Sequence, residues 1–344
     1  MTHDHGTPPV RVGVLGAASI AWRRVVPAMT ACPDVDVVAV ASRDPRRARR
    51  FADRFGCAAV TGYEALLERT DIEAVYVPLP AALHHTWAAR ALAAGRHVLI
   101  EKPMATTAEE ARELTALAES RGLVLRENFM FLHHPRHRAV TELLRDGRIG
   151  RLRMLHASFC VPPLPPDDIR YTLGLGGGAL LDTGVYPLRT AVHFLGRGLR
   201  VTGATLRTRP RDGLDLSGQV LLAADSGVLA SLDFGFEHGY GARYALWGDR
   251  ARLTADQTVS PPAELRTQLR IEEQDREERL LLPPADQFLA CVTEFAAAIR
   301  GPVASRGTGR DPWHADAVAT LELVDAVRER AVRVPCEGDG PQNA

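Results

Sequence analysis

A repeated alternation does most to limit what this chain can fold into. Between Val10 and Asn128, short β-branched runs at 10–15, 35–41, 58–60, 74–77, 97–100 and 124–126 alternate with helix-like stretches at 20–30, 45–55, 63–68, 83–94 and 107–121. Parallel strands need a crossover between them, and a helix is the usual crossover, so the alternation predicts a parallel sheet covered by helices. The first run leads directly into Gly16-Ala17-Ala18-Ser19-Ile20-Ala21. A tight turn between a strand and a helix N-terminus presents outward-facing amides, which favour a phosphate. Residues 10–128 are therefore expected to form a Rossmann dinucleotide-binding domain.

The turn departs from the GxGxxG pattern. Gly16 supplies the tight turn and Ala21 can stand for the third glycine, but Ala18 places a methyl where the backbone approaches a pyrophosphate. Its position carries the reading, and Ser19 and Ile20 are expected at the phosphates with it. The second strand ends in Ser42-Arg43, where an NAD site would carry an acid for the ribose hydroxyl. A hydroxyl and a guanidinium fork, with Arg46 and Arg47 in the next turn, suit a 2′-phosphate instead. The expected cofactor is NADP(H). Asp44 is the rival acid, but directly before Pro45 it reads as a helix cap.

Beyond residue 128 the period changes. A helix at 136–145 and an alternating run at 151–161 are followed by a helix at 178–194, then strands at 201–207, 219–223, 228–234, 244–247, 265–271 and 279–282, with helices at 286–299 and 313–329 at the end. Strands joined by short turns predict an α+β domain with a largely antiparallel open sheet. The expected organisation is a disordered start at 1–9, the dinucleotide domain at 10–128, a substrate and oligomerisation domain at 129–311, a C-terminal helix at 312–334 that packs back on the first domain, and a tail at 335–344. A sheet with one uncovered face commonly pairs between subunits, so a homo-oligomer, dimer or tetramer, is expected.

Composition removes other classes. Lys and Arg total 42 and Asp and Glu total 42, a net charge of zero, which leaves no field to hold a nucleic acid. The N-terminus MTHDHGTPP has no apolar core and no apolar run nears the ~20 residues of a membrane span, so the chain is expected to be cytoplasmic. Five scattered cysteines without a CxxC pair argue for reduced thiols and no metal, and His3, His5, His133 and His134 read as solvated.

One residue stands apart from this balance. Lys102 is the single lysine among the 42 basic residues. Arginine stays charged at every accessible pH, whereas a lysine ammonium can give up its proton. Lys102 follows the fifth strand in Ile100-Glu101-Lys102-Pro103, at the sheet edge where open α/β folds bind ligands, and Pro103 restricts its backbone. A second constellation, Gly176-Gly177-Gly178-Ala179-Leu180-Leu181-Asp182-Thr183-Gly184-Val185-Tyr186, puts Asp182 and Tyr186 four residues apart on a helix.

With these residues the chain resembles the glucose-fructose oxidoreductase, inositol dehydrogenase and MocA-like family over nearly its whole length. The matching stretches are the Gly16 turn, Ser42-Arg43, Pro78-Leu79-Pro80 through His84, Glu101-Lys102-Pro103, and Gly176 through Tyr186. The resemblance implies the fold, an NADP(H) cofactor held also by Leu79, Pro80, His84, Glu101, Lys102, Arg170 and Asp182, and Lys102 and Tyr186 as catalytic residues. It implies that Lys102, Asp182 and Tyr186 meet the substrate, with Asp182 orienting Lys102 or the ribose and Arg170 reaching a cofactor phosphate, while Tyr240, by its place in a Gly-rich loop, reads either as a substrate contact for the base or sugar or as a surface turn tyrosine. Tyr186 where many members carry histidine, together with the run from Glu127 to Pro135, is similar to nucleotide-sugar (dTDP) 3-ketoreductases of deoxysugar and antibiotic biosynthesis, such as that of an L-digitoxose pathway. The expected reaction is NADPH-dependent reduction of the C3′ keto group of a nucleotide-linked keto-deoxysugar. A dehydrogenase of a free sugar, polyol or dihydrodiol, and a non-catalytic NADP(H)-binding regulator, remain open at this level.

Overall fold

The structure is a computed structural model that describes residues 8–301 and 311–336. The stretches 1–7, 302–310 and 337–344 lie outside the described residues, with most of the expected disordered start and tail and the histidines His3 and His5. In chain order the first elements are β1 (Val10–Leu15), α1 (Val26–Ala31), β2 (Val35–Ser42), α2 (Pro45–Phe55), β3 (Ala58–Thr61), α3 (Tyr63–Leu67), β4 (Ala74–Val77), α4 (His84–Ala93), β5 (His97–Glu101), α5 (Ala108–Ser120) and β6 (Leu125–Asn128). They are followed by α6 (Pro135–Arg145), β7 (Leu152–Cys160), α7 (Val185–Leu195), β8 (Leu199–Thr208), β9 (Asp215–Ala224), β10 (Leu229–Gly235), β11 (Gly241–Gly248), β12 (Arg252–Asp256), β13 (Gln268–Glu272) and β14 (Glu277–Leu281). The last elements are α8 (Gln287–Arg300), α9 (Pro312–Arg330) and β15 (Val332–Pro335).

The chain divides into two compact units. The first holds the residues up to Ala105, with Glu109–His134 and Asp286–Ala315, and the second holds Thr106–Ala108, Pro135–Ala285 and the residues from Asp316. The stretch 129–311, expected as one domain, is therefore shared between them. Its last helix explains why: α8 buries Cys291, Val292, Phe295, Ala296 and Ile299 and packs on α1, β2 and the turn Met130–His133 of the first unit. The division falls inside α9, after Ala315.

In the first unit the strands run in the order β3-β2-β1-β4-β5-β6, all parallel. Val12, Val14, Val75, Tyr76, Leu99 and Ile100 are fully buried, as a sheet covered on both faces requires. The order changes direction at β1, so the ends of β1 and β4 flank the crevice where such sheets bind ligands. Helix α2 shows how local sequence sets an element. Asp44 caps it by accepting from the Arg46 amide (2.8 Å), Pro45 opens it, and Gly56 closes it with φ +68°.

The second unit is built on a sheet ordered β14-β13-β12-β11-β7-β10-β9-β8-β15. It is antiparallel except where β10 joins β7 and β15 joins β8 in parallel. One face carries Leu155, Ala157, Val220, Leu222, Ala230 and Leu232 in the core, against α7 and the turn Leu180–Gly184. On the other face Trp247, Met154 and Leu229 pair in one row across β11, β7 and β10, with Leu221 nearby on β9, and all four are exposed. Two strands were not expected. β12 follows β11 after three residues and carries Arg252 and Asp256 at its ends, and β15 is exposed along its whole length, so neither shows a strong apolar signal. Among the described residues, no helix is long and apolar enough to cross a membrane.

Candidate active site

In the first unit the chain leaves β1 at Gly16, which has φ +132°, and a Cβ there would lie 2.8 Å from Leu79 Cδ2. Both facts require glycine and bring the end of β1 close to the loop after β4. The Ala18 carbonyl accepts from the Trp22 amide (3.0 Å), so the helix opens there, with Ser19 exposed, Ala18 and Ile20 part-exposed, and Ala21 fully buried. The expected helix 20–30 begins as a π turn at Ala21–Val25 before α1.

At the end of β2, Ser42 is buried and its hydroxyl oxygen accepts from the Asp44 amide (3.2 Å). That leaves the Ser42 proton to donate. Arg43 is exposed beside it, while Asp44 is occupied by the helix cap. These residues fit a dinucleotide with a 2′-phosphate: a turn that a Cβ would block, a hydroxyl donor, a guanidinium, and the rival carboxylate engaged elsewhere.

Lys102 leaves the end of β5 from a turn pinned on both sides. The Glu101 carboxylate accepts from Tyr76 Oη and Asn128 Nδ2, both at 2.6 Å, and the Cys291 thiol donates to Asn128 Oδ1 (3.2 Å). Burial pushes the Glu101 carboxyl above its ordinary range, opposed by these two donors. On the other side, the Lys102–Pro103 peptide is cis and the Met104 amide donates to Glu127 Oε1 (2.7 Å). His84, 1% exposed, places Nδ1 2.7 Å from the Pro103 carbonyl oxygen and Nε2 2.7 Å from that of Leu79. Both ring nitrogens of His84 and Oε1 of Glu101, two residues expected at the cofactor, are thus engaged within the fold, where they fix the turns bearing Leu79, Pro80 and Lys102.

His133 and His134 do not lie in a solvated loop. His134 is buried, and His133 stacks on Trp313 at 5.0 Å with its Nδ1 2.7 Å from Glu294. Burial works against the His133 imidazolium, but Cys291 and Glu294 outweigh it and hold its pKa at about 10. Among the described residues, no group of three His, Cys, Asp or Glu side chains is placed to hold a metal ion.

In the second unit the glycine run starts a helix that is anchored from β9. Gly178 has φ +114°, and a Cβ there would lie 2.4 Å from Asp215 Oδ1. The Leu180 amide donates to Asp215 Oδ2 (2.6 Å), and burial raises the Asp215 carboxyl. The expected helix 178–194 opens as a π turn, Leu180–Gly184, before α7. Tyr186 lies buried in the first turn of α7, with its ring 4.9 Å from Phe159 in a T-shaped contact, and Phe159 is 6.3 Å from Tyr240. Tyr240 is 54% exposed in the loop between β10 and β11.

Asp182 Oδ2 accepts from Arg170 Nε (2.8 Å), and Arg170 Nη1 donates to Asp168 (3.2 Å). The Asp182 carboxylate, helped by Asp168, holds the guanidinium above its ordinary range. Arg170 is therefore charge-paired with Asp182 and Asp168. Sequence reading missed Asp215 and Phe159, which reach the glycine-led helix only through the sheet, and Tyr76 and Asn128, which meet Glu101 only across neighbouring strands.

Family comparisons accord with this geometry. Residues 10–129 match the model of the "Oxidoreductase family, NAD-binding Rossmann fold" and residues 137–254 that of the "GFO/IDH/MocA C-terminal domain". The chain is 53% identical over 322 residues to dTDP-3,4-didehydro-2,6-dideoxy-alpha-D-glucose 3-reductase of Streptomyces antibioticus, covering 93% of this chain and 97% of that protein. It is 32% identical to an NADP(+)-dependent D-xylose 1-dehydrogenase of Haloferax volcanii, over 93% of this chain and 96% of the other. Among solved structures it is similar to KijD10, a 3-ketoreductase from Actinomadura kijaniata in complex with NADP and TDP-benzene, with TM-score 0.91, 48% identity, and coverage of 95% of this chain and 99% of that one. KijD10 is also known in that complex with one lysine changed to alanine and with one tyrosine changed to phenylalanine. With both of its units matched and its relatives covered nearly end to end, the chain belongs to the GFO/IDH/MocA oxidoreductase family.

Proposed function

We propose that the protein is an NADPH-dependent sugar 3-ketoreductase that reduces the C3′ carbonyl of a dTDP-linked keto-deoxysugar. The observation that carries this reading is the 53% identity to a dTDP-sugar 3-reductase across 97% of that enzyme. Bound NADPH supplies the hydride. The Gly16 turn takes the diphosphate, and Ser42 and Arg43 take the 2′-phosphate. The Lys102 ammonium, presented by its pinned turn, stabilises the developing alkoxide and gives it a proton, while Tyr186 hydrogen-bonds the same oxygen. Phe159 and Tyr240 offer aromatic surface to the sugar or base, and Asp182 and Arg170 order the wall around Tyr186. His84 and Glu101 act as positioning residues.

The test is consumption of NADPH with dTDP-3,4-didehydro-2,6-dideoxyglucose against free keto-sugars, with reduction of NADP+ by D-xylose as the opposing assay. Reduction of the nucleotide sugar, with dTDP alone raising the melting temperature where free sugars do not, is the expected result. Turnover of free sugars only would sink it. We further propose that the open sheet face with Trp247, Met154, Leu229 and Leu221 is covered by a second copy of the chain, because an in-register apolar row across three strands is costly to leave in water. A cytoplasmic setting agrees with the five unpaired cysteines.

A further inference from the structure

The chain has no net charge, yet one corner of the first unit is strongly cationic. Arg43, Arg46, Arg47, Arg49, Arg50 and Arg54 lie on or just before α2, and Arg23 and Arg24 lie in the turn Ala21–Val25. All eight are exposed, against only two carboxylates in the same segments, Asp44 and Asp53. Asp44 is occupied as the helix cap, and among the described residues none of the eight arginines forms an ion pair. Elsewhere on the surface, Arg148, Arg252 and Arg300 are each matched to acids.

The cluster is held in shape. Arg54 lies 4.2 Å and Arg50 5.0 Å from the centre of the Trp22 ring, Arg54 also donates to the Trp22 carbonyl oxygen (3.0 Å), and Phe51 and Phe55 pack on the same ring. Trp22 thus draws the arginines of α2 toward the helix that opens at Ala18, beside the phosphate turn. Eight unneutralised guanidinium groups, two of them held on the Trp22 ring, are more than a single 2′-phosphate can engage. They are also costly, because like charges repel.

We propose that this cluster is an electrostatic funnel that captures the phosphates of the incoming dinucleotide, with Arg49 and Arg50 acting on encounter and not as ligands in the bound complex. The inference rests on the NADP(H) reading of the site. A field of this kind raises the association rate of a polyanion, falls steeply with ionic strength, and leaves the dissociation rate alone. It requires charge but no fork geometry, so lysine can replace arginine, which it does poorly where a guanidinium grips a phosphate directly.

Stopped-flow fluorescence of the full-length protein separates these effects. In R49Q/R50Q the NADPH association rate is expected to fall about 3- to 10-fold at low salt. Dissociation should be unchanged, and the two proteins should converge at high salt. R49K/R50K should restore the rate, R138Q/R145Q, an equal loss of two charges elsewhere, should leave it unaltered, and the association of dTDP should not respond. An unchanged NADPH association rate in R49Q/R50Q would overturn the proposal, as would faster dissociation with no lysine rescue, or dTDP slowed in parallel. The cofactor reading fails separately, if wild-type protein binds NADH as tightly as NADPH.

Discussion

Lys102 draws its meaning from what surrounds it. Being the single lysine marked it in the sequence, but the fold supplies the restraint: Glu101 is held by Tyr76 and Asn128, Pro103 by His84, and Met104 by Glu127. A fixed turn removes the backbone's share of the ordering needed when the ammonium meets a carbonyl, which is the advantage of a preorganised donor. Lys102→Arg keeps the charge and removes the transferable proton. We expect kcat to fall on the order of 10- to 100-fold, toward the lower end for general-acid catalysis because Tyr186 can donate in its place. Tyr186→Phe in the same background should then remove most of what is left. Near-normal kcat in Lys102→Arg would show that lysine is not the donor. Residue identity and strand-end position were legible in the sequence for Lys102, Gly16, Ser42 and Arg43. The hydrogen-bond partners of His84 and Glu101 were not, because they come from neighbouring loops and strands that only the folded sheet brings together.

At the scale of elements, the glycine-led helix shows how one strand sets another element's start. Asp215 on β9 accepts the Leu180 amide, one of the unpaired amides of a helix N-terminus, and Gly178 leaves the space for it. Burial raises the folded-state pKa of Asp215 above its unfolded value. Between those two values the folded chain holds a proton that the unfolded chain has released, so stability falls as pH rises through that window. Asp215→Asn keeps an acceptor oxygen and cannot ionise. Its melting temperature should lose the decline that sets in above about pH 4, the ordinary aspartate range, and equal or exceed wild type at neutrality. Parallel melting profiles would exclude the coupling. Asp215→Ala, which leaves the amide without this acceptor, should cost about 1–3 kcal/mol. The helix itself was legible from its period and its glycines, whereas its π turn and its anchor were not. β15 was hidden for a related reason: an edge strand with no buried side needs only a neighbour, here β8, and no pattern of its own.

For the whole molecule, the sheet face carries the clearest prediction. Replacing Leu221 and Leu229 by glutamate places charges in the exposed apolar row of β9 and β10. We expect the double variant to sediment as a monomer while the wild type sediments as a dimer or tetramer, and equal sedimentation of the two would remove this face as the interface. The sequence by itself determined the parallel first sheet, the mostly antiparallel second one, the phosphate turn and the identity of the lysine, because β-branched runs, glycines and helix periods act over a few residues. Only tertiary structure decided that α8 returns to the first unit, that β7 and β10 pair in parallel, and that His84, Asn128 and Asp215 hold the functional turns. Those outcomes depend on which buried surfaces and polar groups meet across the fold, and contacts between residues far apart in the chain leave no local pattern to read.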